Sequence, residues 1–410
     1  KPKRNYSLLL ASQFLGAFGD NAILAVILGQ LLFMKQQGVI TEEAMRTGNA
    51  VYTSLLFVPY VVLAPLAGYL NDRFPKTGWL FGGNLLKVCG TAIAAVSIWH
   101  GHVWEGIGYF IVGIGACIYS PAKYGILPEI VPRERLVKAN GTVELLTLVA
   151  ILTGNIAGAQ MIDRLPVLQC YIIVLCIYGT SMVLNLIMDR TPDHKDIRLD
   201  RSVGEFFRHS LALITSARLG RVLLGTGLFW VCGAVMKMNF QPWGEDVLQL
   251  NTNTRIALLG LWLSVGVMIG SVTAGQLYKV GDLHHTRWHG VWLAVFLVAL
   301  GSLGELASGG TFSAPRVAIG MLILTGVAAG LFLIPLNAAL QAESDQSKLG
   351  KTIACQNFVD NVGMMLGGGF VFLTIRLGIS SSGVFIALAG LVVLVAGVLK
   401  FQRNSAPATA

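Results

Sequence analysis

Two stretches of this sequence, GACIYSPAKYGILPE (Gly115–Glu129) and AAGLFLIPLNAALQAE (Ala328–Glu343), are weak copies of one another. Both are apolar, both end in glutamate, and their prolines, Pro121 and Pro335, lie 214 residues apart. That spacing is about half the chain. The repeat therefore predicts two related halves, each built around an apolar segment interrupted by proline.

The composition places those halves in a membrane. Of the 410 residues, 54% are hydrophobic and 12% are charged, and the mean hydropathy is +0.67. A soluble domain carries about 25% charged residues. The net charge of +9 is spread over many polar segments, which argues against a nucleic-acid surface. The six cysteines form no CxxC pair, so neither a disulfide framework nor a zinc site is expected.

Twelve apolar segments are long enough to cross a bilayer, which needs about 20 helical residues. Alternating ten-residue strands are absent from the sequence, so we predict an all-α protein of twelve transmembrane helices. The predicted spans are Leu8–Phe33, Val51–Leu70, Trp79–Trp99, Ile107–Leu127, Ala139–Ile162, Val167–Met188, Val222–Phe240, Ile256–Tyr278, Trp288–Ala307, Val317–Leu340, Thr352–Leu373 and Ser382–Leu399.

The distribution of Lys and Arg predicts the orientation. With the N-terminus in the cytoplasm, 21 of the 30 basic residues fall on the cytoplasmic side and 6 on the other side. Cytoplasmic loops carry the basic excess in membrane proteins. We therefore expect both termini in the cytoplasm.

The longest polar segment divides the chain in the middle. We predict a six-helix half at residues 1–188, a cytoplasmic linker at 189–221 and a second six-helix half at 222–410. Within the linker, EFFRHSLALI (Glu205–Ile214) is either a short amphipathic helix on the membrane surface or a plain connection. Because the chain starts at Lys1 instead of Met, we expect a trimmed terminus or a longer natural polypeptide.

The stretch GYLNDRFPK (Gly68–Lys76) closes the second span. Gly68 permits close helix packing, Asp72 suits a helix N-terminus, and Arg73 and Lys76 hold the cytoplasmic side. The stretch resembles the G-x-L-x-D-R signature of the major facilitator superfamily, in which it serves conformational switching. The corresponding GQLYKVGD (Gly275–Asp282) is degenerate.

Further motifs narrow the resemblance. They are QFLGAFGDNA (Gln13–Ala22), YSPAKYGILPE (Tyr119–Glu129), LVKANGTVE (Leu136–Glu144), GTGLFW (Gly225–Trp230), PLNAALQ (Pro335–Gln341) and QNFVDN (Gln356–Asn361). Together they resemble the bacterial lysophospholipid transporter family of the major facilitator superfamily, from span one to span eleven. SPAKYG followed by KANG is the most specific pair.

The resemblance implies a flippase of the bacterial inner membrane. Such a protein moves lyso-phosphatidylethanolamine and lyso-phosphatidylglycerol from the outer to the inner leaflet by alternating access. An acyltransferase–acyl-carrier-protein synthetase, as a partner or a fused domain, would reacylate them. The resemblance implies a monomer that is no enzyme, binds no nucleic acid and needs no cofactor, and it leaves the coupling ion unknown.

Six charged residues lie inside the predicted spans, where a charge costs at least about 2.5–3.5 kcal/mol. Three are acidic and three basic; they are Asp20, Lys87, Lys123, Glu144, Lys237 and Asp360. Such residues persist where they pair, line a polar cavity or serve a function. The balance of signs predicts mutual pairing around a polar cavity.

The fold that the resemblance implies lines its cavity mainly with spans one, four, seven and ten, beside five and eleven. The predicted substrate-binding and gating residues are Asp20, Asn21, Lys123, Tyr124, Glu144, Lys237, Asn337 and Asp360. The family has Arg at the position of Lys237 and Glu at that of Asp360. We expect Asp20 with Lys237, and Glu144 with Lys123, to exchange salt bridges between states.

Lys87 lies in a span that is peripheral in this fold, so we predict a structural ion pair for it. The predicted switch residues are Gly68, Asp72, Arg73 and Lys76. The histidines His284, His285 and His289 are expected in a solvated loop, without a metal.

Two other functions remain open at this point. One is a proton-coupled exporter of amphipathic drugs or metabolites, with Asp20 or Glu144 as the proton carrier. The other is a membrane anchor that scaffolds a lipid acyltransferase without transporting anything. Six buried charges argue against the anchor, because an anchor has no use for an expensive polar interior.

Overall fold

The chain folds as a series of α-helices. The computed structural model describes residues 2–56, 58–192, 199–250, 253–307 and 314–401, and within these ranges there is no strand. The α-helices are α1 Pro2–Gln36, α2 Glu42–Leu55, α3 Val58–Val62, α4 Ala64–Arg73, α5 Lys76–His100, α6 His102–Gly125, α7 Leu127–Ile130, α8 Leu136–Arg164, α9 Val167–Leu186, α10 Leu199–Thr215, α11 Leu219–Asp246, α12 Asn253–Leu277, α13 Thr286–Gly301, α14 Leu303–Ala307, α15 Ala314–Glu343, α16 Leu349–Arg376 and α17 Ser381–Val398.

Helices suit a chain of such apolar composition, because a helix satisfies its own backbone hydrogen bonds in lipid. Ten helices of the described ranges are long and apolar enough to cross a membrane alone. The predicted second span is a pair of helical segments, Val51–Val62 and Ala64–Arg73, bent by 59°. The predicted ninth span contains the shorter apolar helix Thr286–Gly301. Every predicted span therefore coincides with helical structure.

The helices continue through their internal prolines. Pro121 lies inside α6, Pro242 inside α11 and Pro335 inside α15. The two related prolines of the repeat thus occupy matching places, near the C-terminal ends of α6 and α15. Proline removes one backbone donor from a helix, and a helix in membrane can re-satisfy the freed carbonyl locally.

The described residues form two compact units. The first contains residues 1–132, 146–210 and 344–358, and the second contains 133–145, 211–343 and 359–410. In the first unit α5 packs against α6 and α9, and α9 packs against α1. In the second unit α15 packs against α12 and α13, and α17 packs against α13 and α11.

Glycine pairs lie at close helix crossings in each unit. At the α5–α6 crossing, a Cβ built on Gly83 would meet the Gly115 carbonyl oxygen at 2.9 Å. Gly90 faces Gly108 seven residues further along. In the second unit α12 and α15 cross in the same way, with Gly266 beside Gly326. Small residues let backbones approach where lipid supplies no hydrophobic drive for association.

Two pairs of glycines with small-xxx-small spacing also bring helices together. In the first unit, Gly154 and Gly158 of α8 lie against the backbone of α1, at Phe18 and Ala22. In the second unit, Gly266 and Gly270 of α12 lie against α15. Both pairs have the small-xxx-small spacing that brings one helix face onto another.

The linker contains a helix. Helix α10 covers the stretch for which an amphipathic helix and a plain connection were the alternatives, and the helix is the form observed. Its exposed apolar residues, Val203, Phe207, Leu211 and Ile214, follow a helical spacing. Phe206 and Leu213 of the same helix are buried. The predicted position of α10 on the membrane surface stays a prediction.

The α5–α6 crossing should tolerate no side chain at Gly108. In Gly108→Leu, the new side chain meets the backbone of Gly90 and Ala94, and such overpacking costs roughly 1–3 kcal/mol or more. We expect a lower unfolding temperature of the purified protein in detergent, measured by intrinsic fluorescence. Gly106→Leu is the matched control, since a Cβ at Gly106 meets nothing within 4 Å. Equal unfolding temperatures for the two variants would contradict this packing.

Candidate functional site

Asp20, in the middle of α1, is the centre of a buried polar cluster in the first unit. The Lys87 Nζ donates to Asp20 Oδ2 at 2.7 Å, and the Tyr178 hydroxyl donates to Asp20 Oδ1 at 2.7 Å. The side chains of Lys87 and Asp20 are 2% and 15% exposed. Three helices, α1, α5 and α9, thus supply one anion, one cation and one hydroxyl, and the carboxylate is both charge-paired and hydrogen-bonded.

Aromatic and polar groups complete the surroundings of Lys87. Its ammonium lies over the rings of Tyr119 and Tyr178, at 5.2 and 5.5 Å from their centroids. Electron-rich ring faces attract a desolvated cation. One turn away, Asn84 donates to the Ser181 hydroxyl at 2.7 Å, and Ser181 donates to the Ser12 carbonyl at 2.7 Å. The cluster therefore continues as a hydrogen-bonded chain between α5, α9 and α1.

The pairing of Lys87 bears on two predictions. The sequence predicts an ion pair for Lys87, and the structure contains one. Its partner is Asp20, which the sequence assigns to the substrate and gating set. The polar centre of the first unit therefore includes α5, the helix that the resemblance makes peripheral.

The other predicted residues of the first unit are Asn21, Lys123 and Tyr124. The Lys123 ammonium lies over the ring of Tyr124 at 4.5 Å from its centroid. Asn21, beside Asp20, donates to the Ala17 carbonyl at 2.8 Å and accepts from the Asn155 amide at 3.3 Å. Lys123 and Tyr124 are half-buried, which is a suitable exposure for contact with a polar ligand.

The second unit holds the remaining predicted residues. Glu144, Asn337 and Asp360 are buried, and Lys237 is exposed. The Asp360 carboxylate faces the side chains of Thr226 and Trp230. Because Asp20 and Lys123 belong to one unit and Lys237 and Glu144 to the other, the exchange of salt bridges between them stays a prediction.

The predicted switch motif caps a helix. Asp72 is buried at the end of α4, and its carboxylate accepts hydrogen bonds from the backbone N–H groups of Gly350 and Lys351, at 2.6 and 3.2 Å. These donors lie in the first turn of α16, where N–H groups lack partners within the helix and the dipole favours an anion. The prediction that Asp72 meets a helix N-terminus is confirmed.

The approach of α16 depends on Gly68. A Cβ at Gly68 would lie 2.9 Å from the Cα of Lys351, so only glycine lets the two backbones come this close. The Lys351 ammonium lies 4.0 Å from Asp72 and 3.2 Å from Glu205 of α10. A lysine side chain that is 2% exposed is thus matched by two carboxylates.

The other two switch residues also have contacts. Lys76 forms an ion pair with Glu129, the last residue of YSPAKYGILPE. The Arg73 guanidinium lies over the Phe74 ring, 5.5 Å from its centroid. The switch motif and the most specific family motif therefore meet in the first unit, through a pair whose lysine side chain is 4% exposed.

The degenerate second copy of the switch motif keeps the glycine contact and loses the carboxylate. In the second unit, a Cβ at Gly275 would lie 2.9 Å from the Cα of Lys138, as at Gly68. Four residues after Gly275 the chain has Lys279 where the first copy has Asp72. Both copies of the repeat therefore have the close backbone approach, but only the first copy has the carboxylate that caps a helix.

A reciprocal amide pair links two further motifs within the second unit. Asn140 of KANG donates to Gln341 Oε1 at 2.9 Å, and Gln341 of PLNAALQ donates to Asn140 Oδ1 at 2.8 Å. Both side chains are about 1% exposed. Each amide satisfies the other where neither has water, so this pair fixes the start of α8 against the end of α15.

The linker helix is attached to the first turn of α16. His209 Nε2 and the Thr352 hydroxyl are 2.9 Å apart, beside the Glu205–Lys351 pair. Burial, and then the charges of Lys348 and Lys351, lower the pKa of His209. The neutral imidazole is therefore the favoured form, and it adds no positive charge next to Lys351.

Glu105 is a buried charged residue that the sequence reading missed. It is 0% exposed and accepts hydrogen bonds from the hydroxyls of Tyr52 and Tyr171, at 3.1 and 2.5 Å. His102, one turn before it, lies 3.3 Å from the same carboxylate. Its position just before an apolar run resembles that of an ordinary loop charge. No local pattern marks it, because Tyr52 and Tyr171 come from other helices.

The expected histidine loop brings three potential metal-ligating residues together. Ligand atoms of Asp282, His284 and His285 lie within 4.8 Å of one another, and the Asp282 carboxylate contacts the His284 ring nitrogen Nδ1. His289 instead lies 2.7 Å from the Tyr278 hydroxyl. The absence of a metal stays a prediction.

The architecture and the buried charge pairs define a polytopic membrane protein of the transporter type, and comparison with known proteins gives its class. A model of the Major Facilitator Superfamily matches residues 9–368, and the chain belongs to that superfamily. Among solved structures, the human organic anion transporter MFSD10 superimposes with a TM-score of 0.77 at 13% identity, covering 97% of this chain and 99% of that one. The E. coli fucose:proton symporter FucP superimposes with a TM-score of 0.72 at 13% sequence identity, covering 98% of this chain and 98% of that one.

Sequence relatives give the family. The lysophospholipid transporter LplT of Photorhabdus laumondii subsp. laumondii is 32% identical over 98% of this chain and 97% of its own length. LplT of Klebsiella pneumoniae subsp. pneumoniae is 32% identical over 90% of this chain and 89% of its own. Within the superfamily, the chain belongs to the bacterial lysophospholipid transporter family.

The Asp20–Lys87 pair should behave as a coupled unit. Lys87→Met leaves the buried Asp20 carboxylate without its cation, and removing one partner of a buried pair costs roughly 3–5 kcal/mol. We expect a large fall in the unfolding temperature for the single variant and recovery of most of it in Lys87→Met/Asp20→Asn. Lys237→Met, at an exposed lysine, is the control. If the double variant is no more stable than Lys87→Met, the two groups are not coupled.

The capping of α16 by Asp72 should be visible in hydrogen exchange. Asp72→Ala removes the acceptor of two backbone N–H groups, and loss of a cap costs about 1 kcal/mol. We expect amides of residues 349–358 to exchange about fivefold faster, measured by mass spectrometry, because that cost favours local opening of the first turn. Asp345→Ala removes the exposed cap of the neighbouring turn at Ser347 and should leave these amides unchanged. Unchanged exchange in Asp72→Ala would exclude the cap.

Proposed function

We propose that this protein transports lysophospholipids across the inner membrane of a bacterium. The observation that carries the proposal is the similarity to LplT of Photorhabdus over 98% of the chain, since it includes every motif quoted above. Lyso-phosphatidylethanolamine and lyso-phosphatidylglycerol are the substrates, and they move from the outer to the inner leaflet for reacylation. An acyltransferase system is the proposed partner, and the transporter acts as a monomer.

The buried charges supply chemistry that suits such a headgroup. A lysophospholipid carries a phosphate and, in the ethanolamine lipid, an ammonium group. Lys123 suits the phosphate as a point charge, and it is half-buried over Tyr124. Asp20 suits the ammonium, because it already accepts hydrogen bonds from one ammonium and one hydroxyl. A headgroup amine reaching Asp20 would compete with Lys87 for the same oxygen atoms.

That competition gives the proposed transport a physical basis. While Lys87 neutralises Asp20, the cluster is stable without cargo. When the headgroup ammonium replaces Lys87, the lysine loses its partner and must find another anion, such as the substrate phosphate. Differences of only about 1–3 kcal/mol between two states are sufficient for coupling of this kind.

The two six-helix halves, 1–188 and 222–410, are the proposed moving parts, joined by the linker 189–221. Both termini are proposed to lie in the cytoplasm, from the bias of Lys and Arg. Asp72, held at the N-terminus of α16, is the proposed switch contact, because it must break for α16 to move away from α4. The protein needs no cofactor and is not an enzyme in this proposal.

Transport can be measured with the purified chain in liposomes of phosphatidylethanolamine and phosphatidylglycerol, using labelled lyso-phosphatidylethanolamine. We expect Asp20→Asn and Lys123→Ala to slow uptake by about tenfold or more, since each removes a charge worth roughly 1.4 kcal/mol or more to the headgroup. Asp163→Asn and Lys279→Ala, at exposed positions, are matched controls and should keep the parent rate.

The outcomes separate the function from the site. Wild-type rates in Asp20→Asn and Lys123→Ala would exclude these residues while leaving the substrate in place. If the parent protein takes up no lysolipid but exports an amphipathic drug when a pH gradient is applied, the substrate is a drug and not a lysophospholipid. No transport of either kind by a folded parent protein would favour the scaffold.

A further inference from the structure

A groove lies on the surface of the first unit, between the start of α5 and the end of α9. Its volume is about 530 Å³. The lining is mainly apolar and aromatic and consists of Phe74, Pro75, Thr77, Gly78, Trp79, Phe81, Gly82, Asn185, Leu186, Met188 and Arg190. None of these residues belongs to the proposed substrate or switch set.

Trp79, which lines the groove, carries a buried donor that has no acceptor among the described residues. The indole Nε1–H of Trp79 is inaccessible to water and donates to no atom of the described residues. A buried donor left unsatisfied costs roughly 1–3 kcal/mol. An oxygen atom in the groove, such as that of a phosphate or an ester, can accept this hydrogen bond once the indole turns its N–H toward the groove.

Positive charge lies at the same end of the groove. Arg190 is exposed and forms part of the lining. Arg73 lies over the ring of Phe74, and Phe74 packs edge-on against Trp79 with ring centroids 6.0 Å apart. Two guanidinium groups near one aromatic cluster favour an anionic oxygen acid such as a phosphate, which arginine can bind with two parallel hydrogen bonds.

Away from the charged end, the groove opens onto lipid-facing surface. Leu85 on α5 and Val183 and Leu186 on α9 are between 41% and 65% exposed, and all three belong to membrane-spanning helices. An apolar surface that continues directly from a groove suits acyl chains. The order of these features matches a phospholipid: the charged end and the indole donor correspond to the phosphate and ester groups, and the apolar surface corresponds to the acyl chains.

Glycines keep the groove open. A Cβ at Gly78 would meet nothing within 4 Å, and one at Gly82 would meet only the ring of Trp79, at 3.1 Å. Larger residues at these two positions would fill the space beside the indole. The open floor therefore comes from the sequence itself, through residues 78 and 82, which are one helical turn apart.

We propose that this groove binds an anionic phospholipid of the surrounding membrane as a resident lipid. Its phosphate lies between Arg190 and the Trp79 indole, and its acyl chains lie along Leu85, Val183 and Leu186. By the charge bias of the loops, this end faces the cytoplasm, where phosphatidylglycerol is the matching lipid. The site does not depend on the proposed transport, because its occupant stays bound and is not the cargo.

The test uses the full chain in nanodiscs and the fluorescence of Trp79. The Trp79 signal is the difference between the parent and Trp79→Phe. We expect phosphatidylglycerol with brominated acyl chains to quench this signal at a several-fold lower mole fraction than brominated phosphatidylcholine does. A bilayer without a specific site would quench equally with both lipids, and that result would overturn the proposal.

Two variants locate the site. Arg190→Gln should remove the preference for phosphatidylglycerol without changing the quenching by phosphatidylcholine. Gly78→Leu should fill the groove and weaken quenching of Trp79 by both lipids, and it should fold because the new side chain enters open space. If neither variant changes the quenching, the lipid is not in this groove.

A third arm distinguishes a resident lipid from cargo. Unlabelled lyso-phosphatidylethanolamine, added in molar excess over the brominated phosphatidylglycerol, should leave the quenching of Trp79 unchanged. Restoration of the fluorescence would show that the transported lipid displaces the bound one, and would overturn the assignment as a resident site. This readout does not measure transport, so it succeeds or fails independently of the proposed function.

Discussion

The structure depends on one constraint: a charge inside the membrane must be neutralised by a partner held in the same place. Asp20 meets it with Lys87 and Tyr178 from two other helices. The same holds for a charge buried in the protein just outside the predicted spans, since Lys351, which is almost fully buried, is matched by Asp72 and Glu205. An unpaired charge costs several kcal/mol in this environment, so each pair fixes the helices that carry it. In the proposed function, the Asp20–Lys87 pair is also the one for which a charged substrate competes.

The second determinant is how closely two backbones approach. Gly68 and Gly275 each bring a helix so near that a Cβ would lie 2.9 Å from a lysine Cα, of Lys351 and Lys138 respectively. The two copies of the repeat therefore share this backbone geometry, although the second copy no longer has all the residues of the switch motif. The copies differ in charge, since Asp72 caps α16 while Lys279 stands at the corresponding place. The glycine contact alone packs two helices. The carboxylate of Asp72 adds hydrogen bonds to the N-terminus of α16, and the strength of these bonds depends on the charge of the carboxylate.

Much of the fold follows from local pattern, because apolar length and period are properties of a segment by itself. The helices, the small-residue contacts at Gly154 and Gly266, and the helix-capping role of Asp72 were all predictable in this way. Glu105 was not. A carboxylate beside an apolar run looks like a loop charge until Tyr52 and Tyr171 are brought to it from other helices. Its burial is a property of three segments together.

The sequence by itself determined that the chain crosses a membrane as helices in two related halves, and its motifs identified the family. It also determined that six charges lie within the spans, since composition and spacing are sufficient for that. Only the tertiary structure decided which charge neutralises which. Lys87 belongs to the Asp20 cluster because α5 and α9 pack together and α9 also packs against α1, an arrangement encoded by side-chain fit over distances of many residues. The attraction between two charges weakens with distance, so two charges pair only when they are held a few ångströms apart. The packing of the helices decides this, and no local sequence pattern does.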